Sequence, residues 1–72
     1  MLKMKLRGGY GYWDVTQYPI GGKFCRAPAD GLAVTVTDEE PMRYNGARYI
    51  AGYDDAGHRV AFQRDHAETI GA

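Results

Sequence analysis

The chain has no second cysteine to partner Cys25, so no disulfide within it contributes to stability. A lone thiol fits a reducing compartment and gives no sign of secretion. The basic start Met1-Leu2-Lys3-Met4-Lys5-Leu6-Arg7 lacks an apolar run of signal-peptide length. Nowhere do apolar residues approach the ~20 in succession that span a bilayer as a helix. These absences predict a soluble, cytoplasmic protein without a membrane partner. Neither sign of charge is in excess, since nine Lys and Arg balance nine Asp and Glu. The basic surplus usual in nucleic-acid-binding domains is therefore missing.

Length is also in short supply. The 72 residues make a single domain, 1–72, near the lower limit for folding alone. Such a chain buries roughly 60% of the surface it exposes when unfolded. Its core supplies ~3–5 kcal/mol of net stability. The balanced charge is unevenly placed: up to residue 26, Lys3, Lys5, Arg7, Lys23 and Arg26 oppose Asp14 alone. Beyond it, Arg43, Arg48, Arg59 and Arg64 face Asp30, Asp38, Glu39, Glu40, Asp54, Asp55, Asp65 and Glu68. That asymmetry predicts a polar molecule.

What the chain does have is glycine and tyrosine. Ten glycines, three prolines and six tyrosines argue against helix and for short strands between turns. Leu2, Met4 and Leu6 alternate with Lys3, Lys5 and Arg7, the pattern of a half-buried strand whose lysines suit a sheet edge. Tyr12–Thr16 and Lys23–Arg26 read as further short strands. Pro28, Asp30 and Gly31 form a turn, and Leu32–Thr37 alternates most cleanly of all. Asp38-Glu39-Glu40-Pro41 reads as a charged loop. Asn45-Gly46 is a hairpin signal, because both central residues of a type I′ turn need positive φ. A second hairpin follows, with strands Ala47–Tyr53 and His58–Gln63 around Asp54-Asp55-Ala56-Gly57. Arg64–Ala72 reads as one helical turn with a short strand, or a short helix.

Together these predict an all-β domain, a small antiparallel meander curling into a barrel. The ending Phe62-Gln63-Arg64-Asp65-His66-Ala67-Glu68-Thr69-Ile70 resembles the close of a Src-homology-3-like barrel. In that family a strand, a 3₁₀ turn and a last strand follow one another. The resemblance implies topology and no function.

Chemistry-bearing clusters are sparse. His58, His66, Asp54, Asp55, Asp65 and Cys25 match no metal-ligand spacing, and Asp-Asp-Ala-Gly is ordinary turn chemistry. No metal or cofactor is predicted. Cys25 with a histidine would make a nucleophile–base pair, yet so short a chain lacks room for a cleft and an oxyanion hole. Between Phe24 and Arg26 on a strand, Cys25 reads as a small buried hydrophobe. Gly8-Gly9-Tyr10-Gly11 and Gly21-Gly22-Lys23 lack the remaining elements of a phosphate loop. No enzyme is predicted.

Binding is better supported. Arg7, Tyr10, Tyr12 and Trp13, with Tyr18 following, combine the residue types that dominate interface hot spots. Core packing around Trp13 is the bland alternative, and base stacking with phosphate contact is a third. Arg43, Tyr44 and Arg48 form a second candidate group. Near it, Tyr49 and Tyr53 share a face with Ala47 and Ala51, and Arg59 joins the neighbouring arginines as a solvated face or half of an interface. The acidic stretch Asp38, Glu39 and Glu40 would suit a basic partner. The expected function is non-catalytic protein binding, with nucleic-acid binding as the alternative. Such a chain suits an inhibitor or adaptor carried by a phage or mobile element, as small anti-CRISPR and anti-host proteins are. A homodimer is a further expectation, because so small a core leaves aromatic side chains uncovered. The Leu2–Arg7 strand is its candidate contact.

Overall fold

The computed structural model describes the backbone of residues 2–17, 22–44 and 47–71, and the side chains of all these except 38–44 and 47. Among the described residues, seven strands form one antiparallel sheet, so the all-β class predicted above is what the chain adopts. They are β1 (Leu2–Leu6), β2 (Gly11–Asp14), β3 (Lys23–Arg26), β4 (Leu32–Tyr44), β5 (Ala47–Asp54), β6 (Arg59–Gln63) and β7 (Ala67–Gly71). A 3₁₀ turn, Arg64–His66, separates β6 from β7. A strand, this turn and a last strand thus follow one another over 59–71, and closure of the sheet into a barrel is not seen among the described residues. The sheet order is β3-β2-β6-β5-β4-β1-β7, an open order with β3 and β7 as its edges.

Period-two alternation builds the core. Met4 and Leu6 of β1, Val34 and Val36 of β4, Ile50 of β5, and Val60 and Phe62 of β6 point to one side and pack with Ala27 and Ala67. Leu2, Tyr12 and Leu32 lie against this cluster.

The turns follow their residues. Gly31 takes φ +91° and donates its N–H to the Pro28 carbonyl at 2.8 Å. In the β5–β6 turn, Asp54 Oδ1 accepts from the N–H groups of Ala56 and His58 at 3.0 and 2.9 Å. Gly57, at φ +85°, then closes the loop. Asn45 and Gly46, the expected hairpin turn, lie outside the described residues.

Two expectations are overturned. Leu2–Leu6 is no edge: it pairs with β4 through Leu2↔Val36 to Leu6↔Leu32 and with β7 on its other side. Its lysines are explained by the face they occupy, away from the core. Asp38–Pro41 is no loop either, since β4 runs on to Tyr44. Its register slips between Val36 and Asp38 and again between Asp38 and Met42. Backbone bonding to β5 outweighs the local turn preference, and the irregularities absorb the surplus residues.

Candidate interaction face

The side of the sheet opposite the core carries its own rows of residues. Phe24, Trp13, Ala61 and Ala51 lie in register across β3, β2, β6 and β5. Arg59, Tyr53, Thr35 and Lys3 lie in register across β6, β5, β4 and β1. Alternation fixes the side: Trp13, Ala61, Ala51, Arg59, Thr35 and Lys3 each neighbour a residue that packs on the core, and Phe24 and Tyr53 follow by register with Trp13 and Arg59. Ala51 and Ala61 are buried yet lie outside the core cluster, small side chains walled in by larger neighbours on this face.

Aromatic rings and arginines dominate the rows. Trp13 meets Phe24 edge-on, with ring centroids 5.3 Å apart and planes at 69°. Phe24 is 50% exposed and covers the bare backbone of Gly11, where an added Cβ would lie 2.3 Å from the ring. The Arg26 guanidinium sits 5.6 Å from the Phe24 centroid and donates to the Gly9 carbonyl at 3.1 Å. The Arg59 guanidinium sits 5.7 Å from the Tyr53 centroid and donates to the Tyr53 hydroxyl at 3.4 Å. Among the described side chains that β2, β3, β5 and β6 turn to this face, Arg26 and Arg59 are the only charges. Both are held against rings, ready for a carboxylate.

Thr16 braces the end of β2. Its hydroxyl donates to Asp14 Oδ1 at 2.6 Å and accepts the Arg59 N–H at 2.9 Å. The Thr16 N–H also reaches Asp14 Oδ1, at 3.0 Å. These donors, the hydroxyl first, hold the Asp14 carboxyl below its ordinary pKa. The stabilisation is therefore present above the unfolded-state pKa and is lost as pH falls through the folded one. Thr16→Val is expected to raise the Asp14 pKa and lower stability at neutral pH, with the gap to wild type narrowing in acid. NMR titration of the carboxyl and denaturation at several pH values would measure both. An unchanged Asp14 titration would contradict this assignment.

The candidates named from sequence are dispersed. Arg7 donates to the Asp65 carbonyl at 3.1 Å, and Tyr10 stacks on His66 with centroids 4.4 Å apart. These two form a corner against the 3₁₀ turn. Tyr12 turns inward beside the core, where burial first, then Cys25, Asp54 and Asp14, push its phenol pKa up. Trp13 alone of the group lies on the outer face, half-buried and apart from the core cluster. Strand alternation separates Tyr12 from Trp13, so one contiguous patch from these residues does not form. Tyr18 lies outside the described residues.

On the other hairpin, Arg43 pairs in register with Arg48 and Asp38 with Ala51, while Arg48 itself is exposed. The side chains of Asp38, Glu39, Glu40, Arg43 and Tyr44 lie outside the described residues. Phe24 and Arg26 are the interface-type residues that the sequence reading passed over. Their i, i+2 spacing on a four-residue strand was the available signal. Cys25 between them is half-exposed, because β3 is an edge.

His58 Nδ1 lies 3.3 Å from Asp54 Oδ2, but no group of three His, Cys, Asp or Glu suited to a metal occurs among the described residues. Among the described residues, no helix is long and apolar enough to cross a membrane. Protein-family models, curated proteins and solved structures give no match to this chain. The face must be read from its own chemistry.

Proposed function

We propose that the chain is a non-catalytic protein-binding module whose outer face, Phe24, Trp13 and Tyr53 with Arg26 and Arg59, docks a partner bearing carboxylates beside apolar groups. The observation that carries this reading is the pair of arginines held over exposed rings with no carboxylate beside them among the described residues. Aromatic and arginine anchors contribute most of the energy of protein interfaces. Rings that already fix the guanidinium groups lower the entropy lost on docking. An inhibitor or adaptor of phage or mobile-element type, in the anti-CRISPR or anti-host class, fits a module this small. The free thiol of Cys25 accords with action in the cytoplasm.

The immobilised chain is expected to retain a discrete protein from host extract in the presence of nuclease. That protein, once purified, should bind the triple variant Phe24→Ser, Arg26→Ala, Tyr53→Ser at least tenfold more weakly, given anchors worth ~2 kcal/mol each. Arg64→Ala, beyond the face, should bind as wild type does, and circular dichroism would verify that every variant folds. Equal binding by the triple variant would refute this assignment of the face. Retention that vanishes with nuclease and falls steeply with salt would instead indicate phosphate contacts.

A further inference from the structure

One side of the β3 backbone is committed and the other is open. The Ala27 N–H donates to the Tyr10 carbonyl at 2.9 Å, and the Ala27 carbonyl accepts from the Gly9 N–H at 3.0 Å. Backbone groups of successive residues in a strand turn to opposite sides, so Cys25 and Lys23 also face β2. Phe24 and Arg26 face away. Because β3 ends the sheet, their N–H and C=O groups have no backbone partner among the described residues. Such a row is a template for another strand.

We propose that the occupant is β3 of a second copy, paired antiparallel across a two-fold axis at Cys25. A two-fold contact requires that if one residue faces another, the reverse also holds. In this register Phe24 of each copy faces Arg26 of the other, and Lys23 faces Ala27. Arg26, already 5.6 Å from the ring of its own Phe24, thus meets the other copy's Phe24 as well. No like charges stand directly opposite. Sliding one copy by two residues sets Arg26 against Arg26 and draws Pro28 into the ladder. The opposite slide faces Arg26 with Gly22 and Cys25 with Lys23. Neither alternative matches charge to ring.

The register also brings the lone thiols together. Phe24 and Arg26 form the hydrogen-bonded pairs, so the two Cys25 residues form the non-hydrogen-bonded pair between them, with Cα atoms about 4.5 Å apart. That distance lies within the roughly 4.4–6.8 Å range of disulfides. The backbone pairing lies at the strand edge, while Phe24 and Arg26 also belong to the outward face; sedimentation of the chain alone tests the pairing without any docking partner, so the two readings can fail separately.

Diamide treatment of the chain at high micromolar concentration tests the pairing. Two Cys25 thiols give one disulfide, and diamide takes up their two electrons and two protons to become a hydrazine. Phe24→Lys places a second cation opposite Arg26, twice per dimer, and is expected to slow cross-linking about tenfold. Its Cys25 should react with a monofunctional maleimide as fast as wild type does, separating pairing from exposure. Sedimentation equilibrium of the thiol-free Cys25→Ser chain should show a concentration-dependent dimer even if Phe24→Lys fails to fold. Only monomer in that measurement, or cross-linking unaffected by Phe24→Lys in a folded chain, would overturn the proposal.

Discussion

Phe62→Ala is expected to leave the chain largely unfolded at room temperature. Phe62, on β6, is fully buried, is the largest such side chain among the described residues, and belongs to the core cluster. Truncating a buried phenylalanine costs about 3–5 kcal/mol through lost transfer energy and the cavity left behind. A domain this small has a total of only ~3–5 kcal/mol to lose. Circular dichroism and urea titration measure the outcome directly. Phe62→Leu, which keeps most of the volume, should still fold with a lower midpoint. A cooperative transition near the wild-type midpoint for Phe62→Ala would show that the core is organised around other residues.

Gly52→Val is expected to be comparably damaging for a different reason. A Cβ at position 52 would lie 2.2 Å from the Thr35 carbonyl oxygen and 2.8 Å from the Val36 Cα. Both obstacles are backbone of the adjacent strand, so no side-chain rotation relieves the clash. β4 and β5 would have to separate where Val36 and Gly52 pair, and those strands carry Val34, Val36 and Ile50 into the core. A loss of at least ~2–3 kcal/mol follows from overpacking so tight a contact. Gly57→Ala, where a Cβ meets open space and the cost is that of a positive φ alone, should lose less, ~1 kcal/mol. Equal losses for the two variants would contradict the close approach.

The local parts of this architecture were legible in the sequence, and the neighbour relations were not. Leu2–Leu6, Lys23–Arg26 and the strands around Asp54–Gly57 announce themselves by alternation and turn residues within a few positions. That β1 lies between β4 and β7 depends on pairings across more than 60 residues, such as Leu6↔Ala67, which no local pattern encodes. The continuation of β4 through Asp38–Pro41 was hidden for a related reason. Local chemistry there favours a turn, and pairing with β5 overrides it. On the candidate face, Trp13 could be flagged by residue type. Phe24 and Arg26 could not be recognised until β3 was known to be an edge.

The hairpin of β2 and β3 joins the rest of the sheet through β6 over a short seam, Trp13↔Ala61 and Asp14↔Val60, extended by the Val15 N–H to Arg59 carbonyl bond at 2.8 Å. By contrast, β4 pairs with β5 through seven residues between Val34 and Tyr44 and with β1 through five. Local opening is easiest where few backbone bonds must break together, so the hairpin is the cooperative unit expected to detach first. Its amides should exchange with deuterium ahead of those in β1, β4 and β5. Phe24, Trp13 and Arg26 ride on that unit. A partner gripping them would slow exchange mainly across residues 11–14 and 23–26, marking its footprint as a regional change in protection while the core's slowest amides keep their rates.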